Sequence, residues 1–444
     1  MTERLYYTDS FLHEFDAQVL EAFEIGGEAA VVLDRTAFYP ASGGQLCDTG
    51  ILQVSPGDGA PIELRVKRVE ENSQGDVVHL LDAPAGCQLD PGTDVHGRVD
   101  AERRRDHMQQ HSGQHVLSAA FIKLLDVPTL SFHMGDEICT VDLAAQGVSA
   151  EELAKVQELG NRIVWENRAV TVRFVDLEQA RVMGVRKLPN LDKIAVKTRK
   201  DAPAGNSSSD QEAEGALVGG GHQLRLIEIS GFDLNACGGT HVGNTGQIGP
   251  ILMRKSEKVA RGVRIEFVCG DRALATALQD FRVLTEAATV LSTHLWEVPQ
   301  QVRKLGEEVR AARKAQLRLS AELAELWADR LCGEAVETDG YKLVRQVYAD
   351  RDVWFVKTLA QKLTRHSRVL ALLGTTAEQP TVVFARSQDL DLDASRLMKE
   401  VLAKTNGRGG GSRDLAQGGL TSSDQVTAAI DAAAGLVRTL LSTA

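Results

Sequence analysis

The chain has 444 residues, 43% hydrophobic and 25% charged, with a formal net charge of −11. That length exceeds one typical domain and favours about three, and the composition is ordinary for a soluble globular protein. No basic segment leads into an apolar run at the start, and nowhere do about 18 apolar residues run together, so neither a signal peptide nor a membrane span is expected.

Residues 1–95 read as short strands and turns. Apolar residues alternate with polar ones around Val19 and in 29–33. Turn signals follow at Gly26-Gly27, Ser42-Gly43-Gly44, Pro56-Gly57-Asp58-Gly59 and Pro91-Gly92. A small amino-terminal β-barrel is expected. Residues 96–270 mix helices and strands. Asp106 is expected to cap a helix running to Leu125, and 150–167 to form a second, with Leu153, Val156, Leu159 and Ile163 at helical spacing. Residues 201–221, rich in Gly, Ser, Ala and acidic side chains, are expected to form a mobile inserted loop.

Residues 271–333 read as helical. Pro299 either divides them or opens the second helix. Beyond it Val302, Leu305, Val309, Ala312, Gln316, Leu319, Leu323 and Leu326 keep the 3-4 spacing of a coiled-coil seam, which can pack on its own chain or on a second copy. In 334–444, strands at 342–348, 368–373 and 381–385 alternate with helices at 353–364, 394–404 and 422–441, giving a small α/β domain. Its glycine-rich loop, 407–419, carries Arg408 and Arg413. The expected fold is therefore multidomain α+β: barrel, α+β domain, helical linker, carboxy-terminal α/β domain.

Six cysteines (Cys47, Cys87, Cys139, Cys237, Cys269, Cys332) are too sparse for a disulfide framework and fit a reducing cytoplasm. Cys237 stands apart because of its neighbours. His111-Ser112-Gly113-Gln114-His115 puts two imidazoles four apart on one helix face, where both reach one ion. Cys237-Gly238-Gly239-Thr240-His241 adds a thiolate and a third imidazole around a glycine pair that lets the backbone fold tightly. Three nitrogens and one thiolate suit Zn²⁺. His107, one turn earlier on the same face, is read as a non-ligand. A zinc-peptidase helix needs a glutamate after its first histidine, and Ser112 stands there.

The acidic balance argues mildly against a nucleic-acid partner, but phosphate contact depends on local patches. Three patches flank the metal motifs in sequence. They are Arg103-Arg104-Arg105; Lys187, Lys193, Lys197, Arg199 and Lys200; and Arg254, Lys255, Lys258, Arg261 and Arg264. A solvated charged face is the plain alternative for each.

The stretch from Arg104 through His115 resembles the first zinc motif of alanyl-tRNA synthetase editing domains and of their freestanding AlaX-type relatives, the long form above all. Cys237-Gly238-Gly239-Thr240-His241-Val242 is similar to the second motif, and 264–270 to the strand after it. Residues 36–50, with Tyr39-Pro40 and Gly43-Gly44-Gln45, resemble the signature loop of the amino-terminal barrel. Gly409-Gly410-Gly411 with Ala416-Gln417-Gly418-Gly419 resembles the loop of the carboxy-terminal synthetase domain, although Ser412-Arg413-Asp414 stands where synthetases usually show Arg-Pro-Asp. Nothing in the chain resembles the class II aminoacylation core.

The resemblance implies a zinc deacylase acting in trans on mischarged tRNA specific for alanine, with serine as the main target and glycine as a second, and without charging activity. Its ion would polarise the ester carbonyl, activate water or position the amino acid. The expected ligands are His111, His115, Cys237 and His241. Gln114 is the candidate reader of the serine hydroxyl, where synthetases often carry threonine. Thr240 and His133 are further candidates for the pocket. Arg104, Arg105, Gly43, Gly44, Gln45, Arg261, Arg264, Arg408 and Arg413 are candidates for contact with substrate or tRNA. A homodimer through the helical segment or the carboxy-terminal domain is also expected. The rival readings are a zinc-stabilised RNA-binding scaffold without hydrolysis, and editing of threonine-type tRNA.

Overall fold

The structure is a computed structural model that describes residues 2–54, 61–82, 89–188, 216–218 and 223–442. Cys87, the turn at 56–59, most of the loop at 201–221, and Lys193, Lys197, Arg199 and Lys200 lie outside the described residues. The chain divides into two compact units, Met1–Leu284 and Thr285–Ala444.

The first unit opens with β1 (Glu3–Arg4), a short 3₁₀ turn (Leu5–Tyr7), β2 (Glu14–Ile25), β3 (Glu28–Leu33) and β4 (Arg35–Thr36). Next come β5 (Gly50–Val54), β6 (Ile62–Glu71), β7 (Val77–Asp82) and β8 (Asp94–Val99). Strands β2-β3-β7-β6-β5-β8 close into a six-stranded barrel. Period-2 alternation in β2 turns Phe15, Ala17 and Val19 inward, where they meet Leu33, Phe38, Leu52, Leu64, Val66, Val95 and Val99. The loop between β4 and β5 leaves the barrel and carries Gly43, Gly44 and Gln45.

Helix α1 (Ala101–Leu125) follows at once. Asp100 caps it, accepting from the N–H groups of Glu102 and Arg103 at 3.1 Å. This corrects the expected start: Asp106 lies inside the helix and pairs with Arg272 at 2.6 Å. From His107 to Phe121 every α1 residue is buried, so α1 is the core helix of the unit. It packs against β9 (Thr129–Met134), α2 (Ala150–Trp165) and strands that come later in the chain. The remaining elements are β10 (Cys139–Leu143), β11 (Val170–Asp176), α3 (Leu177–Val182), β12 (Leu217–Val218), β13 (Gln223–Ile229), β14 (Asp233–Ala236), β15 (Ile251–Val259) and β16 (Gly262–Cys269). They form two sheets, β15-β16-β10-β9 and β11-β13-β12 with β14 paired to β13. Helix α4 (Gly270–Val290) follows β16.

The second unit contains α5 (Val298–Glu334), with Pro299 in its first turn, so this proline opens the helix. After it come β17 (Glu337–Thr338), β18 (Tyr341–Tyr348), α6 (Val353–Leu363), β19 (Val369–Thr375), β20 (Thr381–Arg386), α7 (Ala394–Thr405), β21 (Arg408–Gly411), β22 (Leu415–Gly419) and α8 (Asp424–Ser442). One six-stranded sheet, β17-β18-β19-β20-β22-β21, is buried on both faces at its central strands β19 and β20. Val369, Ala371 and Leu373 of β19 meet α5 and α6, while Leu370 and Leu372 meet α7 and α8. This is why β19 is apolar throughout instead of alternating. Among the described residues no helix is long and apolar enough to cross a membrane, and no disulfide forms.

Candidate metal centre

Two chain segments build the centre. Helical spacing on α1 stacks His111 and His115, with ring centroids 5.2 Å apart. The loop after β14 brings Cys237 and His241. The four ligand atoms lie within 4.8 Å of one another, and all four residues are buried. His111 Nε2 is 3.4 Å from Cys237 Sγ, and His241 Nε2 is 3.3 Å from it. The third imidazole, His115, has a buried Nε2 with no hydrogen-bond partner among the described residues. Three imidazoles and one thiolate are a donor set that fits Zn²⁺, and an ion held there would give that orphaned nitrogen a partner.

The opposite ring nitrogens of His111 and His241 have hydrogen-bond partners, as is usual for metal-ligating histidines. His111 Nδ1 lies 2.5 Å from Gln45 Oε1. His241 Nδ1 lies 3.3 Å from Ser112 Oγ, which accepts from the Val242 N–H. His115 Nδ1 lies 3.4 Å from Arg186 Nη2 and 3.7 Å from Asp233 Oδ2, and Arg186 binds that carboxylate through bonds of 2.9 and 3.1 Å. Burial, then the neighbouring imidazoles, holds His111 and His241 well below the ordinary histidine range. Burial also lowers His115, against the opposing pull of Asp233. In each case the shift favours the neutral imidazole, the form that can ligate an ion.

Close approach explains two glycines. A β-carbon on Gly239 would lie 2.1 Å from His111 Cε1. Gly44 has φ +86°, and a β-carbon there would lie 2.4 Å from the Phe132 carbonyl oxygen. The barrel loop therefore presses directly on the centre. Gly43 lines a small cavity beside His111 and Cys237. Gln45 donates to Thr240 Oγ1 at 2.9 Å and accepts from the Thr240 N–H at 3.3 Å.

The other expected site residues fall in varied places. Gln114 is buried. Its amide donates to Ser118 Oγ at 2.8 Å, and its Oε1 has no partner among the described residues. His133 is a correction. It is exposed on β9, where pleating sends it to the face opposite Phe132, the residue that packs on His111. Arg104 is a second correction. It is fully buried, pairs with Asp48 and donates to the carbonyls of Ser10 and Ala37, so no phosphate can reach it. Arg105 is exposed and pairs with Asp271 at 2.6 Å. Arg264 is engaged by Asp142 at 2.7 Å, and Arg413 pairs with Asp391. Arg261 and Arg408 are exposed. His107 is outside the ligand cluster and fully buried. Burial foremost, then Arg103, takes it down to about 3.

Sequence reasoning missed Arg225. It is fully buried and donates to the carbonyls of Tyr7 (2.9 Å), Cys237 (2.7 Å) and Gly239 (2.9 Å). Its place on β13, in step with buried Ile227 and Ile229, was the available signal.

Three families match this chain in part. "tRNA synthetases class II (A)" matches residues 2–103, "Threonyl and Alanyl tRNA synthetase second additional domain" residues 224–266, and "DHHA1 domain" residues 343–439. The alanyl-tRNA editing protein AlaX-L of Pyrococcus horikoshii is 28% identical over 94% of each chain. The chain is a homologue of AlaX-L and is related to alanyl-tRNA synthetase. Alanine–tRNA ligases of Pyrococcus abyssi and Thermococcus kodakarensis are 29% and 32% identical over 97% and 94% of this chain, and 43% and 41% of theirs. The chain thus spans less than half the length of those ligases. The class II (A) likeness falls on the barrel and the first residues of α1. The second-additional-domain match begins beside Arg225 and includes Cys237 and His241.

Proposed function

We propose that this chain hydrolyses the aminoacyl ester of mischarged tRNA specific for alanine, with serine as its main substrate and glycine as a second. The observation that carries the reading is a buried His₃Cys centre adjoining α1, which also bears an unsatisfied amide oxygen at Gln114. His111, His115, Cys237 and His241 would hold Zn²⁺, which when bound supplies a positive centre for orienting and polarising an ester. Gln45, Ser112 and Asp233 fix the imidazoles, and Arg225 fixes the loop carrying the thiolate. Gln114 Oε1 accepts a hydrogen bond from the serine hydroxyl, which alanine cannot offer. The match to AlaX-L, named an alanyl-tRNA editing protein, supports editing of tRNA specific for alanine, and the proposed action is in trans, without charging, in the cytoplasm. Arg105, Arg261, Arg264, Arg408 and Arg413 are the proposed phosphate contacts.

The α5 seam supports pairing with a second copy. Val302, Leu305, Val309, Leu319 and Leu326 are all exposed, with valine and leucine alternating at the first two core positions. Leu305→Glu is expected to convert a dimer to a monomer in sedimentation.

The deciding experiment incubates purified protein with tRNA specific for alanine carrying serine, glycine or alanine. Release of serine well above the uncatalysed rate, with alanine spared, is expected. Release no faster than without protein, with chelation only unfolding the chain, would establish the zinc-stabilised RNA-binding scaffold instead. Swapping in threonine-type tRNA tests the remaining rival.

A further inference from the structure

A narrow cavity of ≈ 10 Å³ abuts the centre, lined by Tyr6, Tyr39, Gly43, His111, Cys237 and Gly239 among others. That is room for about one water or one carbonyl oxygen, and too little for a side chain or a base. Tyr6 is 1% exposed, and its hydroxyl has no hydrogen-bond partner among the described residues. Buried tyrosine hydroxyls usually find a partner, so an orphan on a residue that lines this cavity calls for an explanation.

The ring is held firmly. It meets Tyr7 and Tyr39 edge-on, at centroid distances of 5.1 and 5.3 Å. Arg225 ties the adjoining Tyr7 carbonyl to those of Cys237 and Gly239, so the turn bearing Tyr6 and the metal loop are fixed to one guanidinium. Tyr6 thus has a fixed frame and an uncommitted polar end.

We propose that the Tyr6 hydroxyl is a catalytic hydrogen-bond donor that receives the ester carbonyl oxygen in this cavity and stabilises the charge it takes up during hydrolysis. This rests on the deacylase reading. Water oxygen bonds to the carbonyl carbon, the acyl–ribose bond breaks, and one water proton goes to the departing ribose oxygen. The other goes to solvent, and Tyr6 keeps its own proton throughout. Burial foremost raises the Tyr6 phenol well above its ordinary range, which keeps it a donor at neutral pH. A donor placed where charge develops acts on the transition state more than on the ground state.

The test is Tyr6→Phe, which keeps the ring and deletes the oxygen. The expected result is a fall in kcat on the order of 10² with KM nearly unchanged. Zinc content should be unchanged, and the melting temperature no lower, because no protein bond is lost. Unchanged kcat overturns the proposal. So does a lowered melting temperature, which would make the hydroxyl a structural partner. If the wild-type protein itself releases no serine, the deacylase reading fails and this proposal with it. Failure of the proposal alone shows only in the variant.

Discussion

Gln45 and His111 lie 66 positions apart in the chain and 2.5 Å apart in space, Oε1 to Nδ1. One belongs to a barrel loop and the other to the core helix of the same unit. The amide carbonyl selects the imidazole tautomer that leaves Nε2 free to face Cys237. The same side chain donates to Thr240, next to His241, so it braces both ligand-bearing segments.

Gln45→Ala is therefore expected to weaken zinc binding about 10–100-fold while leaving all four ligands in place. Competition with a chromophoric chelator measures this. Affinity equal to wild type would show that the barrel loop does not tune the centre.

Arg104 and Asp48 are both fully buried, and Asp48 also accepts from the Tyr39 N–H at 2.7 Å. Arg104→Ala would leave that carboxylate without its counter-charge. The expected loss is about 3–5 kcal/mol of stability, read as a lower denaturation midpoint. A loss below about 1 kcal/mol, the range of surface ion pairs, would contradict it.

The His₃Cys cluster was legible because its signals are local: His-x3-His obeys helical periodicity, and Cys-Gly-Gly-Thr-His sets a glycine pair between its cysteine and histidine. The barrel was legible from alternation and turn residues. Arg104 was misread because a run of three arginines reads as one charged patch, whereas a helix turns each residue about 100° from the last. Arg103, Arg104 and Arg105 accordingly face different surroundings, and only Arg104 points into the core. His133 failed on the same ground, with period 2 in place of 3.6. Arg225 was hard to find because its bond to the Tyr7 carbonyl spans 218 positions, and only its buried place on β13 hinted at a role.

His79 gives a pH prediction that is independent of the metal. It is buried in the barrel, with Nε2 2.9 Å from Thr36 Oγ1, and burial takes its pKa from 6.5 down to about 4. Above pH 6.5 the imidazole is neutral in both folded and unfolded chains, so folding carries no protonation penalty. As pH falls from 6.5 toward 4 the unfolded chain takes up a proton that the folded chain refuses. Stability then drops, by about 3 kcal/mol in total, with no further loss once the folded form also protonates. Urea unfolding of wild type and His79→Gln across pH 7.5 to 4 should show a shallower decline in the variant. Parallel curves would remove His79 from the acid sensitivity.

Gln114 supports the last prediction. Its amide nitrogen is committed to Ser118, whose hydroxyl lies 2.7 Å from Thr129 Oγ1, so the side chain is anchored at one end. Its Oε1 is buried and unpartnered among the described residues. A serine hydroxyl donating to that oxygen would relieve its desolvation, whereas alanine leaves it unpaired. The difference is the 1–3 kcal/mol typical of an orphaned buried acceptor, or about 5–150-fold in relative rate. Gln114→Ala removes the acceptor for both substrates, so the ratio of kcat/KM for serine over alanine should fall by that factor. The fall should come from slower serine release. Gln114→Glu retains an acceptor and should preserve more of the ratio. If Gln114→Ala leaves the ratio unchanged, the hydroxyl is read elsewhere, with Thr240 next in line.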